Sequence, residues 1–235
     1  MSRRYLAIAA AVLAGAIVSA GATPAFAGRP LSTVDRATQA DAIVASLRDL
    51  PLPLRAFPRG IASPQAMRRP LPALELRRQE IYERLRVLGP ASVPALARAL
   101  RDPDAGMRRD VVVALDVLGG GWWHFPDGAS KLDIRRALPA LVTALQDSDP
   151  GVRAWAAADI GDIGAAAAPA VPRLRAMLRS QDGGSRGSAC RALGAIGPAA
   201  RAALPDLRQA LGDASPQVRQ SARDAIASIT APAAP

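Results

Sequence analysis

One pattern is written four times between Val93 and Thr230, and it restricts the chain to a stack of like units. An apolar residue and a proline are followed by leucines two and six positions after the proline. The four copies are Val93-Pro94 with Leu96 and Leu100, Leu138-Pro139 with Leu141 and Leu145, Val171-Pro172 with Leu174 and Leu178, and Leu204-Pro205 with Leu207 and Leu211. Fourteen residues after each proline stands an arginine: Arg108, Arg153, Arg186 and Arg219. Seven and ten residues further on come branched apolar residues: Leu115 and Leu118, Ile160 and Ile163, Leu193 and Ile196, Ile226 and Ile229. The steps from Pro139 to Pro172 and from Pro172 to Pro205 are 33 residues, and the step from Pro94 to Pro139 is 45. Self-similarity at such a period is the signature of a solenoid.

Each unit reads as two helices. In the first, the residue before the proline and the two leucines stand at i, i+3 and i+7, one helical face. The second opens ten residues after the proline, at Asp104, Asp149, Asp182 or Ser215. These side chains can accept from free backbone N–H groups of the first turn. Pro150 and Pro216 follow at the first helical position, where a missing N–H costs nothing. The second helix buries a stripe such as Val218, Ala222, Ile226 and Ile229. It is expected to stop at Gly119, Gly164 and Gly197, where glycine takes a left-handed cap. One hairpin cannot bury both its faces, but stacked neighbours can. The expected fold is all-α, a right-handed α-α superhelix.

The P-x-L-x-x-x-L first helix, the acidic turns (Asp102-Pro-Asp104, Asp147-Ser-Asp149, Asp213-Ala-Ser215), the V/M-R opening and the A-x-x-L/I-G close resemble HEAT-like repeats. The 33-residue period is similar to the short bacterial variety related to phycobilisome lyase repeats. The resemblance covers about residues 72–230 and speaks to fold far more than to activity. It implies a hydrogen-bonded ladder between units, with Asp102, Asp147 and Asp213 and with Arg108, Arg153, Arg186 and Arg219. The Pro172 unit departs from this, with Ser180 where the others have Asp.

Residues 1–27 stand apart. Arg3 and Arg4 make a basic start, Leu6 to Ala20 is apolar, and Ala25-Phe26-Ala27 is a small-x-small cleavage site. This reads as a signal peptide, with a mature start near Gly28 and an exported chain, periplasmic or extracellular. The apolar run is shorter than the roughly 20 residues a membrane span needs, so no transmembrane segment is expected after cleavage. Removing Arg3 and Arg4 takes Lys+Arg from 30 to 28 against 20 acids, a net charge of +8. Lys131 is the sole lysine, and the Ala- and Gly-rich composition points to GC-rich coding as one source of the arginines. The plain reading is a solvated basic surface. The sharper one is an anionic partner: an acidic protein, a lipid headgroup or an envelope polymer. Nucleic acid would suit a basic solenoid inside a cell, but export argues against it.

Cys190 is the one cysteine, so no internal disulfide can form. It reads as a small packed residue. Residues 28–71 carry a helix capped by Ser32 or Thr33, with Ala40, Ile43, Leu47 and Leu50 on one face. A basic stretch follows that contains Pro51, Pro53, Pro58, Pro64 and Pro70 and favours extended backbone. Pro72 to Leu88 then reads as a helix. Leu85, Leu88 and Gly89 match the close of the later second helices, so this helix is expected to be a terminal half-repeat. Residues 231–235 read as a disordered tail.

The 12 extra residues of the long step lie in an insert over 119–131. It holds Trp122, Trp123, His124 and Phe125, three of the six aromatics after residue 27 and the sole histidine. Insertions in solenoids map to loops on one face, often the binding face, and tryptophan is a favoured interface anchor. The other reading is a loop folded back to plug a groove between units. Trp155 stands two after Arg153, where other units have Asp110, Ser188 and Ser221, and it is expected to share the patch.

Catalytic signals are missing. One histidine excludes a multi-His metal centre, and Asp127 gives it no ligand spacing. There is no Walker loop and no dinucleotide fingerprint. Some HEAT-like proteins are iron-dependent hydroxylases that use His-Glu pairs, which are missing from these units. No catalytic residue, metal or cofactor is expected. The expected function is an exported protein-binding or scaffold module with a protein partner, an acidic one included. The alternative is an enzyme, or an enzyme accessory subunit, acting on a cell-envelope component.

Overall fold

A computed structural model of the 235-residue chain describes residues 32–49, 73–120 and 132–231, without the side chains of 73–76 and 79. The leader, the Pro/Arg-rich stretch 50–72, residues 121–131 of the insert and the tail 232–235 lie outside these residues. All regular structure among the described residues is helical. Ten α-helices follow in order: α1 (Thr33–Ala45), α2 (Ala73–Leu88), α3 (Ser92–Ala99), α4 (Ala105–Gly119), α5 (Leu138–Ala144), α6 (Pro150–Ile163), α7 (Val171–Met177), α8 (Gly183–Ile196), α9 (Leu204–Ala210) and α10 (Pro216–Thr230). Among the described residues no helix is long and apolar enough to cross a membrane.

The repeated pattern is the core. Leu96, Leu141, Leu174 and Leu207 of the first helices are fully buried, as are Leu115, Ile160 and Leu193 of the second. They form one continuous cluster from Ala40 to Ile229. Hairpins pair α3 with α4, α5 with α6, α7 with α8 and α9 with α10, and the second helices stack in the order α4, α6, α8, α10.

The stack begins earlier than expected. The α1 helix packs along α3 and α2 packs against α4, so α1 and α2 form a complete terminal hairpin and not a half-unit. Its first helix carries the same spacing, with Ala40, Ile43 and Leu47 at i, i+3 and i+7, all buried. Asp41 stands where the other units have proline, and Asp49 falls in register with Asp102, Asp147 and Asp213. On α2, Leu85 and Leu88 place Arg78 in register with Arg108. The missing proline and the 23 residues between Asp49 and Ala73 hid this unit. A capping box locks its start: the Ser32 hydroxyl accepts from the Asp35 N–H at 3.2 Å, and the Asp35 carboxylate accepts from the Ser32 N–H at 3.1 Å.

The helix ends correct two further expectations. Gly89, Gly164 and Gly197 take positive φ, but at the second helix of the Pro94 unit Gly120 does so, not Gly119. Gly119 is the last helical residue and Ile134 lies against it; an added Cβ would come within 2.8 Å of the Ile134 Cδ1. Asp104, Asp149 and Asp182 accept from first-turn N–H groups. Ser215 does not; its hydroxyl donates to the Gln217 amide oxygen at 3.0 Å.

Small residues set how closely the second helices stack. A Cβ on Gly161 would meet the Ala192 Cα and the Ala195 Cβ at 3.4 Å. One on Gly194 would meet the Ala225 Cα at 2.9 Å, which forces a backbone shift. Both glycines stand eight residues after the unit arginine, and in α4 that register holds Asp116.

Candidate functional site

The turn between the two helices of each unit carries the ordered charges. In the Pro94 unit the Arg108 Nη1 donates to the carbonyls of Asp102 and Pro103 at 2.7 and 3.0 Å. This orients the other side of the guanidinium outward. Its Nε and Nη2 then grip both oxygens of Asp147 in the next unit, at 2.6 and 2.8 Å. Arg186 repeats the arrangement, with carbonyls of Ser180 and Gln181 behind it and Asp213 ahead at 2.7 and 2.9 Å. Two parallel charge-assisted bonds fix angle as well as distance. Each acid also accepts from a backbone N–H two residues on, Asp147 from Asp149 and Asp213 from Ser215.

The Pro172 unit departs where Ser180 replaces the acid. Ser180 still accepts from the Asp182 N–H, at 3.3 Å. It offers Arg153 no carboxylate, so the Arg153 Nε donates to the Ser185 hydroxyl at 3.1 Å and Nη2 lies 3.6 Å from Asp182. At the first junction Arg48, not Arg78, reaches Asp102. Arg78 instead pairs with Asp110 at 3.0 Å, and both side chains are buried. Arg219 holds the carbonyls of Asp213 and Ala214 at 2.7 and 3.1 Å and closes the series.

The ionisation follows the geometry. The Arg186 guanidinium and the Ser215 N–H hold the Asp213 carboxyl down to about 2. Burial pushes the Asp147 carboxyl up, but Arg108 and the Asp149 N–H outweigh it and leave it below its ordinary value. For Asp110 burial wins over the attraction of Arg78, and its carboxyl sits above the ordinary value. Burial drives the Cys190 thiol up to about 11. With the thiol fully buried among apolar neighbours, this is not an activated nucleophile.

Trp122, Trp123, His124 and Phe125 lie outside the described residues. Trp155 is half-buried and packs against the core. It stands two residues after the unit arginine on α6, while the insert leaves α4 eleven residues after Arg108. The two helices run parallel, so nine residues at 1.5 Å each separate the two levels by about 14 Å. A second group was not singled out from the sequence. Asp116 of α4 and Asp159 and Asp162 of α6 bring carboxylate oxygens within 4.8 Å of one another. Asp116 and Asp159 are buried and Asp162 is exposed. The three acids occupy a junction whose counterparts are Gly161 against Ala192 and Ala195. Register comparison across units would have found them.

Residues 171–235, the last two units, match the family profile of HEAT repeats. The fold is a HEAT-like repeat solenoid. A designed armadillo repeat protein in complex with the peptide (KR)4 is similar at a TM-score of 0.55 and 18% identity, covering 82% of each chain. An engineered protein is similar at 0.52 and 21% identity, over 84% of this chain and 88% of that one. The complex of CpcE and CpcF of phycocyanin lyase from Nostoc sp. PCC7120 is similar at 0.50 and 23% identity, over 90% of this chain and 70% of that one. No curated protein matches the sequence.

Proposed function

We propose that this HEAT-like solenoid is an exported scaffold that binds a protein partner through its repeat surface and its aromatic insert. The observation that carries the reading is the use of the described charges. The strong ion pairs cap helices or join one hairpin to the next, which builds a rigid support and leaves recognition to exposed faces and inserts. The designed armadillo protein, similar in fold, holds a peptide, which supports a binding use. That peptide is basic, whereas this chain without its leader carries 28 Lys+Arg against 20 acids, net +8, so an acidic partner fits better here. Trp122, Trp123, His124, Phe125 and Trp155 are the proposed contacts. For Trp155 to join them, the insert must run back about 14 Å along the helix axes, within reach of a dozen residues.

Deleting residues 121–130, which spares the Gly120 cap, should abolish partner capture from the envelope fraction and leave the thermal midpoint unchanged. The pair Trp122→Ala with Trp123→Ala should do the same, since buried aromatic anchors cost about 2 kcal/mol or more on truncation. A large midpoint drop with the partner retained would make the insert a structural plug. Export is tested separately. Intact mass from the native host should correspond to a chain starting at Gly28, and a full-length product held in the membrane would refute it.

An enzyme or accessory subunit acting on an envelope component is the second reading. The convergence of Asp116, Asp159 and Asp162 three residues from the root of the insert favours it. Under the binding reading, Asp162→Asn leaves partner capture intact. Under the second, it removes turnover of an envelope component by the partner complex.

A further inference from the structure

The ladder ends in two open positions, one at each end of the solenoid. At the C-terminal end, Arg219 is seated like Arg108 and Arg186, with Nη1 held by the carbonyls of Asp213 and Ala214. In those two arginines Nε and Nη2 grip an acid of the following unit. For Arg219 no carboxylate among the described residues fills that place. Its fork is therefore oriented in advance by the same backbone contacts, at no further cost in side-chain entropy.

At the N-terminal end, Asp49 stands in the register of Asp102, Asp147 and Asp213. It is exposed, and no arginine among the described residues reaches it; Arg48 beside it turns to Asp102. The apolar surface follows the same division. Among the described residues the exposed large apolar side chains are Val34, Val87 and Leu211, all in the two terminal hairpins. Leu211 is 37% exposed, against 5%, 3% and 8% for its counterparts Leu100, Leu145 and Leu178. The difference is a following unit that covers each of the other three.

We propose that copies of this chain associate head to tail, with Arg219 and Leu211 of one copy receiving Asp49 and the α1–α2 hairpin of the next. The contact continues the ladder by one more bidentate pair across the junction. Charge selects its polarity, because among the described residues the ladder leaves an arginine over at one end and an aspartate at the other. The rest of the C-terminal face is polar: Gln220 donates to Asp224 at 2.9 Å and Arg223 donates to Gln220 at 3.2 Å. Association is therefore weak and reversible, as polar end units require for solubility. A heterologous contact of this kind leaves a free end on every assembly, so the products grow with concentration and do not stop at a dimer.

Sedimentation velocity on the full chain, in a series reaching about 1 mM where weak contacts populate, should show mass rising with concentration. Arg219→Ala and Asp49→Ala should each raise the dissociation constant by roughly tenfold or more, as truncation of a paired interface charge does. Asp49 is exposed, so its variant tests the contact without disturbing the core. Mixing the two variants in equal amounts is decisive. One supplies an intact Asp49 and the other an intact Arg219, so the mixture should form dimers and nothing longer. A wild-type chain that stays monomeric throughout, or variants that associate as well as wild type, would overturn the proposal.

Discussion

Leu193→Ala should lower stability by about 2–5 kcal/mol, the cost of removing a fully buried leucine from a site that cannot collapse. Leu193 is 0% exposed and lies on α8, between α6 on one side and α10 on the other. Collapse is blocked from both directions. A Cβ added to Gly161 would already meet the Ala192 Cα at 3.4 Å, and one added to Gly194 the Ala225 Cα at 2.9 Å, so the helices have little distance left to close over a void. Each unit also depends on its neighbours for burial, and a loss in the middle of the stack weakens two interfaces at once. For a chain of this size, 1 kcal/mol moves the midpoint by about 2–4 °C. The expected drop is therefore about 4–20 °C, read by thermal denaturation against Ser228→Ala, an exposed control on α10. An unchanged midpoint would mean that α8 is out of register.

Arg78→Met should cost about 3–5 kcal/mol at neutral pH, because it strands a buried carboxylate. Methionine keeps most of the apolar volume, so the loss reports charge and not packing. The pH dependence gives the prediction its sign. The Asp110 carboxyl already sits above its ordinary value through burial, with Arg78 pulling the other way. Without Arg78 it rises further. A folded-state value above the unfolded one means that the native state binds more protons, so stability falls as pH rises through that interval. The deficit of the variant should accordingly shrink on acidification to about pH 5. Ladder acids do not confuse the comparison. Asp213 is held down to about 2, so its contribution is lost only below the ordinary carboxylate range. Adding Asp110→Ser to the same chain should recover most of the loss by removing the second charge too, and serine is the residue found in that register at Ser188 and Ser221. Failure of the double variant to recover would place the cost in the packing around position 78 and not in the stranded acid.

Four of the five hairpins were legible from the sequence because each wrote its proline, its two leucines and its arginine at fixed offsets. The fifth was legible only in part. Ala40, Ile43 and Leu47 had the right spacing, but Asp41 in place of proline and a 23-residue gap before α2 broke the template. The ladder resemblance carried residue identities well and pairings less well. Arg153 turns to Ser185 because Ser180 has no charge to offer. Arg78 leaves its place to Arg48 because Asp110 lies buried beside it. Asp116 comes from one unit and Asp159 and Asp162 from the next, so no single unit shows them as a group. Only the alignment of α4 on α6 does so. The family profile likewise takes in only the last two units.

The connections of the stack alternate between two edges, and the two long departures from the repeat fall on opposite ones. Residues 50–72 leave from the end of the first hairpin's opening helix, at the level of the ladder turns. Residues 121–131 leave from the far end of α4. The width of the sheet of helices lies between them, and 15 residues of α4 at 1.5 Å each make that about 22 Å. The helices fix the gap between the two attachment points as a ruler does, so a change in the length of either segment leaves that separation as it is.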